Sequence, residues 1–581
     1  MLKDLKVVED VLRPDDESCK GLEQFLIVLT ISFGLVHTWA GRYSMSPDGI
    51  SYLDVGSAFF RRDWFGAFNA YWSPLYAWTQ GVAIGLINPS SRWEFPVAHV
   101  VNFFVLLATL AAFRFFLRSC LTFRRLVSVP LAEDRQFLSD WAVLLLAYPL
   151  FWWASFELMP LYEIGPDLAV SACLYTAVGL LLYARTTSRR RDFLFLGFVL
   201  GVGYWVKAPF FLLAFVFLAV AYLWARRSAG WASGVALALI AFLVTASPLV
   251  LVLSLQKHRP TFGDSGRLNY AWFIAPQTFH RNWQGAEPRS GTPVHPTHEV
   301  LRDPPVYTFE GPVVGSYPPW LDPSYWNEGL RPHFALKPQL QALTTDLMTE
   351  ASLVLRAQPA LLTAVVLLLA LSGASGLRAL REFWPLLAVA LSVFAMYAPV
   401  HVEPRFLGGF VVLLFLPLIV AARLRTSEQR VGRYLAIVVL GVMTIGAFDT
   451  AFRFTTLRLA VPGNGPTPVF EHVVVADRIR AMGLVPGDVV AIIGDGTGAY
   501  WAHLAKVRIM AEVMGADHDA QRFWQSSEAS QRSVLQAFAS AGAKVALADN
   551  PTSLPGDEWS RIGNTTWYAL PLLENTPHPL N

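Results

Sequence analysis

Four short polar clusters interrupt an otherwise apolar chain, and each carries side chains suited to chemistry. The first is Asp48 in Ser46-Pro47-Asp48-Gly49, followed by the aromatic run Tyr71-Trp72-Ser73-Pro74-Leu75-Tyr76. A carboxylate there can take a proton from an incoming hydroxyl or hold a metal ion, although Pro-Asp-Gly is also a good turn sequence. Asp54, six residues on, reads as a second acid or a cap, and Asp63 beside Arg61-Arg62 as a surface ion pair. The second cluster is Glu157, Glu163 and Asp167, with Asp167 placed after Pro166 at the start of an apolar run. A carboxylate there caps a helix and complements its dipole, or serves as a second acid facing a cavity. The third is Lys207 in Val206-Lys207-Ala208-Pro209. An ionisable group at membrane depth is costly and marks function by default, though a lysine near the edge can snorkel to the interface. The fourth is His401-Val402-Glu403-Pro404-Arg405-Phe406. The planar, permanently charged fork of arginine suits phosphate, and Glu403 can hold it in place. The plainer alternative is a local ion pair that orients a loop.

Other patterns carry less chemistry. His295 and His298, with Glu299, have a conceivable metal spacing, but the prolines around them argue against a regular helix. Gly494-Asp495-Gly496-Thr497-Gly498 follows a strand pattern and precedes a helical one, with Glu512 ending the next strand, which echoes a dinucleotide fingerprint. Its third glycine comes one residue early, and a structural glycine turn is the better reading. Cys19, Cys120 and Cys173 show no metal-ligand spacing and no disulfide framework.

The elements that must position these clusters are membrane helices. The chain has 581 residues, 54% hydrophobic and 15% charged, with mean hydropathy +0.41. Soluble domains run nearer a quarter charged. Net charge is +3 and no basic run points to nucleic acid. Apolar stretches of spanning length fall near 23–40, 95–117, 138–156, 168–184, 232–253, 357–375, 384–399, 406–423 and 434–451. The stretch 193–224 is too long for one span and carries Gly201, Gly203, Lys207 and Pro209 in its middle, so it reads as two. Arginine-rich loops recur on alternate sides, which gives eleven spans, a cytoplasmic N-terminus and an extracytoplasmic C-terminus. The expected architecture is a mainly α polytopic membrane protein of about 11 transmembrane helices with an external loop domain and a small C-terminal α/β domain. Its parts are a cytoplasmic N-terminus (1–22), a transmembrane module (23–253) with a first outer loop (41–94), an extracytoplasmic loop domain (254–355), further transmembrane helices (356–452) and an extracytoplasmic α/β domain (463–581). Within the first outer loop, 56–71 reads as an amphipathic helix and 74–88 as a short apolar one. In the tail, strands are expected at 489–493, 507–513 and 543–548, and helices at 470–482, near 499–505 and near 520–540, forming a parallel sheet.

An outer loop with Asp48 and the Tyr71–Tyr76 aromatics resembles the GT-C membrane glycosyltransferases. More narrowly the chain resembles the RgtA/B/C/D-like group, related to protein O-mannosyltransferases and the lipid A aminoarabinose transferase. Pro166-Asp167, Val206-Lys207-Ala208-Pro209 and His401–Phe406 add to the resemblance, which covers roughly 25–425. It implies a many-span fold with its active site on the extracytoplasmic face of the cell (inner or plasma) membrane, a polyprenyl-phosphate sugar donor, and a lipid, glycan or protein acceptor. On this resemblance Asp48 takes the place of the catalytic acid, Asp167 more loosely that of a second, and Lys207 and Arg405, steadied by Glu403, hold the lipid phosphate. Many relatives have two adjacent acids in the first loop. Here Gly49 follows Asp48, so a divalent metal is an open cofactor rather than an implied one.

The implied reaction is inverting. Asp48 acts as base on the acceptor hydroxyl, and the cations stabilise charge on the departing phosphate. Tyr71, Trp72 and Tyr76 stack on sugar faces or anchor the chain at the interface. The competing function is a transporter or flippase of lipid-linked sugars. Transporters usually keep charges at the midplane and show repeated halves, whereas these polar groups fall at the outer ends of spans and no repeat is seen.

Overall fold

A computed structural model describes residues 17–126, 135–187, 189–225, 230–274, 282–285, 290–311, 315–332, 334–459, 468–515, 518–551 and 558–572. Of the basic residues that flank the expected spans and set their orientation, Lys3, Lys6, Arg13, Arg226 and Arg227 lie outside these. The chain divides into two compact units. The first comprises 1–41, 100–263 and 339–456, the second 42–99, 264–338 and 457–581.

The first unit is helical. Seven helices of the chain are long and apolar enough to cross a membrane: Cys19–Gly41, Ser91–Leu126, Asp140–Leu158, Asp167–Thr187, Trp231–Gln256, Pro359–Glu382 and Thr426–Asp449. Shorter apolar helices occupy Phe210–Trp224, Trp384–Tyr397 and Pro404–Val420, and a further helix runs Arg190–Val206. Helices therefore sit at every position where the apolar pattern predicts one. Several begin with proline in the first turn, where its missing N–H costs nothing. The long apolar stretch breaks as its composition predicts. One helix ends at Val206, Lys207 is extended (φ −155, ψ 128), and the next helix starts at Phe210, just after Pro209. The first of these helices packs backbone to backbone on Trp231–Gln256: a Cβ at Gly197 would lie 2.0 Å from the Ala238 carbonyl oxygen. That contact leaves little freedom in where Lys207 emerges.

Some buried polar groups in this unit pair with each other across helices. Arg114 and Arg118 donate to the buried Glu23 at 3.0 and 2.5 Å, and Trp152 Nε1 donates to Thr30 Oγ1 at 2.7 Å. Large apolar side chains such as Leu35, Trp39, Val244, Leu251, Leu255, Val438 and Ile445 are exposed instead. Outward apolar faces on helices of this length suit lipid.

The second unit joins three stretches of chain. Its helix Pro47–Phe60 starts where Ser46 Oγ accepts the Gly49 N–H at 3.1 Å. It ends at the basic pair, where Arg62 takes a positive φ of 62. A four-residue helix Trp64–Ala67 and a helix Pro74–Ile87 follow. The helix expected over 56–71 is thus displaced. The Ser-Pro cap starts it nine residues earlier, and the left-handed turn at Arg62 stops it. Pro47–Phe60 and Pro74–Ile87 touch through Gly56 and Gly81, where a Cβ at Gly56 would meet the Ala77 carbonyl oxygen at 2.3 Å.

The tail strands appear at Val489–Gly494, Arg508–Met514 and Val545–Asp549, pairing in parallel. They form only the centre of a mixed seven-stranded sheet. In spatial order its strands are Thr297–Arg302, Pro305–Phe309, Arg508–Met514, Val489–Gly494, Val545–Asp549, Trp567–Pro571 and Ser560–Arg561. A hairpin from the 264–338 stretch supplies one antiparallel edge, so this loop and the tail share one sheet. The sheet buries Ala491, Ile493, Ala511, Val513 and Ala546 against Phe523, Val534 and Phe538. The helix expected near 520–540 is two, Asp519–Gln525 and Glu528–Ser540, because Ser527 caps the second.

Candidate functional site

In the first unit, three segments distant in sequence bring their charges to one aromatic ring. Asp167 opens its helix after Pro166 and is buried. Lys207, left extended by the helix break, reaches it, and Nζ donates to Asp167 Oδ1 at 2.5 Å. The same ammonium sits 4.4 Å from the centre of the Phe406 ring. Arg405, in the first turn of Pro404–Val420, lays its guanidinium 5.5 Å from the centre of that ring. Its Nε donates to Glu403 Oε2 at 2.6 Å, and Nη1 stands 3.7 Å from Glu163 Oε2. His401 Nε2 lies 3.4 Å from Glu403 Oε1. Burial opposes the charge on Glu403, but the His401 hydrogen bond and the Arg405 guanidinium hold its carboxyl well below the usual carboxylate range.

The loop that carries this motif is fixed from behind. Helix Leu336–Arg356 sends Asp346 to accept the Val402 N–H at 3.3 Å, and Gln339 Nε2 donates to the Pro399 carbonyl at 2.6 Å. One turn on, burial and the neighbouring Asp346 push the Glu350 carboxyl up to about 7. The sequence-predicted residues Asp167, Lys207, Glu403 and Arg405 thus come together. Two cations lie beside one ring, each on its own carboxylate, and an ammonium and a guanidinium are the side chains whose chemistry suits a phosphate.

In the second unit, Asp48 stands half-buried in the first turn of Pro47–Phe60. Tyr500 feels its charge: burial, Asp495 and Asp48 push that phenol up to about 12. Of the aromatics, Trp72 and Tyr76 are interior. Trp72 Nε1 donates to the Trp320 carbonyl at 3.1 Å, and the Tyr76 hydroxyl accepts from Gln80 Nε2 at 2.9 Å. Tyr71 is half-buried, donates its hydroxyl to Asn269 Oδ1 at 2.8 Å and lies beside Trp272. It is the most accessible of the three.

His295 is committed to the Trp283 carbonyl at 2.7 Å, while His298 lies on a strand, exposed. Among the described residues no group of three His, Cys, Asp or Glu side chains is arranged to hold a metal. The glycine turn is structural. Asp495 Oδ1 accepts from the Thr497 N–H and hydroxyl at 2.9 and 2.6 Å, and a Cβ at Gly496 would strike the Tyr317 ring. Glu512 is buried and accepts from the Tyr317 hydroxyl at 2.7 Å and Asn282 Nδ2 at 3.1 Å.

One constellation escaped the sequence reading. His503 lies between Asp54 and Glu94, with Nδ1 2.5 Å from Asp54 Oδ1 and Nε2 2.7 Å from Glu94 Oε1. All three are buried. Burial alone would push the imidazole down, but the two carboxylates override it and raise it to about 10. Nothing local marks these residues. Asp54 reads as a second acid or a cap, and the partners lie 449 and 409 positions apart from His503.

No protein-family model matches the chain, and no curated protein matches it. Solved structures do. ArnT from Cupriavidus metallidurans in the apo state matches with a TM-score of 0.51 at 13% identity, covering 95% of this chain and 99% of that one. The same protein bound to undecaprenyl phosphate matches with a TM-score of 0.50 at 12% identity over the same shares. An Archaeoglobus fulgidus oligosaccharyltransferase tethered with an acceptor peptide gives a TM-score of 0.45 at 11% identity, covering 90% of this chain and 69% of that one. The chain has the fold of ArnT.

Proposed function

We propose that a chain with this fold is an integral membrane glycosyltransferase. It moves a sugar from a polyprenyl-phosphate donor to a hydroxyl of a lipid, glycan or protein acceptor on the extracytoplasmic face. The observation that carries the proposal is the pair Lys207 and Arg405 set against Phe406, each on its own carboxylate. In this reading the pair receives the donor's phosphate. Asp167 and Glu403 keep the two cations in place while the site is empty, so little side-chain ordering remains to be done on binding.

The acceptor oxygen attacks the anomeric carbon as the bond from that carbon to the phosphate oxygen breaks. The acceptor's proton passes to the Asp48 carboxylate. The electron pair of the broken bond leaves on the polyprenyl phosphate, whose charge grows in the transition state and is met there by the two cations. One displacement inverts the anomeric centre. Tyr71 offers a ring face to the sugar.

The test uses the purified full chain in detergent with synthetic undecaprenyl-phosphate hexoses and pentoses and a membrane lipid extract as acceptor. Transfer of radiolabel with release of undecaprenyl phosphate is expected for at least one donor. Label that crosses a reconstituted bilayer with no new glycosidic bond would instead establish a transporter.

A further inference from the structure

The buried triad in the second unit does not take part in this chemistry, yet it is costly to build. Carboxylate oxygens only accept, so an imidazole bonded to one through each nitrogen carries both protons. Asp54 is committed further: its Oδ2 accepts the Ser316 N–H at 2.7 Å and the Ser316 hydroxyl at 2.8 Å. Gly315, at φ 82, makes room for this, since a Cβ there would come within 2.8 Å of the same oxygen. Asp54 is therefore not available as a second acid. Buried ion groups of this kind seldom add net stability over apolar packing, and their best-attested use is to specify one arrangement.

The arrangement specified here is that of the helix Pro47–Phe60. His503 holds it at Asp54, and Tyr500, one turn earlier on His503's own helix, stands within reach of the charge of Asp48. Residues three apart on a helix share a face. One face of Tyr500–Ala505 therefore addresses two points of the acid-bearing helix, about 9 Å apart along its axis. Glu94, in the first turn of Ser91–Leu126, closes the other side of His503.

We propose that His503 is a positioning residue: through Asp54 and Glu94 it fixes the helix that presents Asp48, and setting that carboxylate is a role of the C-terminal α/β region. The proposal rests on Asp48 being the base of the transfer reaction.

The test compares wild type with His503→Gln in detergent, using the active undecaprenyl-phosphate donor and, separately, undecaprenyl phosphate alone. The expected result is a kcat about 100-fold lower, as for a misplaced catalytic group, with donor KM and undecaprenyl phosphate affinity unchanged. Faster deuterium exchange should be confined to 47–60. A folded His503→Gln protein with wild-type kcat overturns the proposal, even if 47–60 exchanges faster, and so does a rise in exchange spread over the whole chain. Should His503→Gln fail to fold, Glu94→Gln keeps an acceptor for Nε2–H and removes one charge. It should lower kcat in the same direction with the same local exchange, and wild-type kcat there overturns the proposal equally. Wild type that transfers nothing from any donor, with exchange still rising only at 47–60 in the variant, sinks the enzyme and leaves the clamp without a base to position.

Discussion

Two clusters in which cations meet carboxylates, that of Lys207 and Arg405 in the first unit and that of His503 in the second, differ in what is left open. In the first unit the Lys207 and Arg405 side chains each keep 21% of their surface accessible. In the second, His503 keeps 5% and its two carboxylates 8% each. A cation that is to meet a phosphate needs an open side, whereas one sealed between two acids can only hold what already surrounds it. The difference separates a site from a scaffold without appeal to residue type, since both clusters use the same chemistry of charged hydrogen bonds.

The largest expected effect falls on neither cluster but on Asp48, the base of the proposed reaction. Asp48→Asn keeps the size and polarity of the side chain and removes the base. Transfer should fall by about 10²–10⁴-fold, with undecaprenyl phosphate binding and thermal unfolding unchanged. Full transfer in this variant would leave the second unit without a chemical role.

The scaffold is then tested by Asp54→Ala. It leaves His503 with one partner and strips the Ser316 N–H and hydroxyl of their acceptor. Breaking a buried ion group by removing one member costs about 3–5 kcal/mol, so a large drop in the unfolding midpoint is expected. In the open cluster the loss should show in binding. Lys207→Met and Arg405→Met each remove one charged hydrogen-bond donor, a loss of about 1.5–3 kcal/mol, which weakens undecaprenyl phosphate binding about 10- to 100-fold. The Arg405→Met midpoint should move little, because Arg405 and Glu403 are both partly solvated already, whereas Lys207→Met leaves the buried Asp167 without its cation and should lower the midpoint as well. A phosphate affinity that ignores both substitutions would remove the basis for reading the open cluster as a site.

These two clusters were unequally legible in the sequence. Lys207 announced itself because a charge within an apolar run is expensive, and Glu403-Pro404-Arg405 because its members are adjacent. The apolar pattern also placed the helices, including the break at Lys207, since span length and proline are local signals. The triad sent no such signal. Its members come from two remote stretches, Asp54 and Glu94 from one and His503 from the other, with ordinary surroundings, and only the packing of the tail on the first loop brings them together. The mixed sheet was missed for the same reason: the hairpin Thr297–Phe309 joins the tail strands from about 200 positions away, as the pairing of Tyr307 with Glu512 shows. Long-range pairing of this kind leaves no periodicity to read.

A pH series distinguishes the sealed cluster from the rest of its unit. The folded pKa of His503 lies at about 10, above the ordinary 6.5 of a free imidazole. Its contribution to stability is fully present below about pH 6.5 and is lost as pH rises through about 10. Wild type should therefore lose unfolding midpoint across this window. His503→Gln should start lower and show a flatter profile from pH 7 to 10. A wild-type midpoint that is level over that range would mean that the imidazole is not charged in the folded chain.

The smallest effect is expected at Glu512, a buried carboxyl of the sheet region, and it sharpens the contrast because the groups bonded to it, the Tyr317 hydroxyl and Asn282 Nδ2, are neutral. Burial raises it to about 7, against the hydrogen bonds from Tyr317 and Asn282 that favour its charge. An acid whose folded pKa is raised above its unfolded value costs stability as pH rises. The unfolded chain ionises near pH 4.3, while the folded one holds its proton until about 7, so stability falls between these values and is level above them. Glu512→Gln keeps an oxygen to accept from the Tyr317 hydroxyl and cannot ionise. The variant should melt close to wild type at pH 4 and at a higher midpoint than wild type at pH 8. Were it to melt lower at both, the carboxylate of Glu512 would be charged and satisfied within the fold by neutral donors alone.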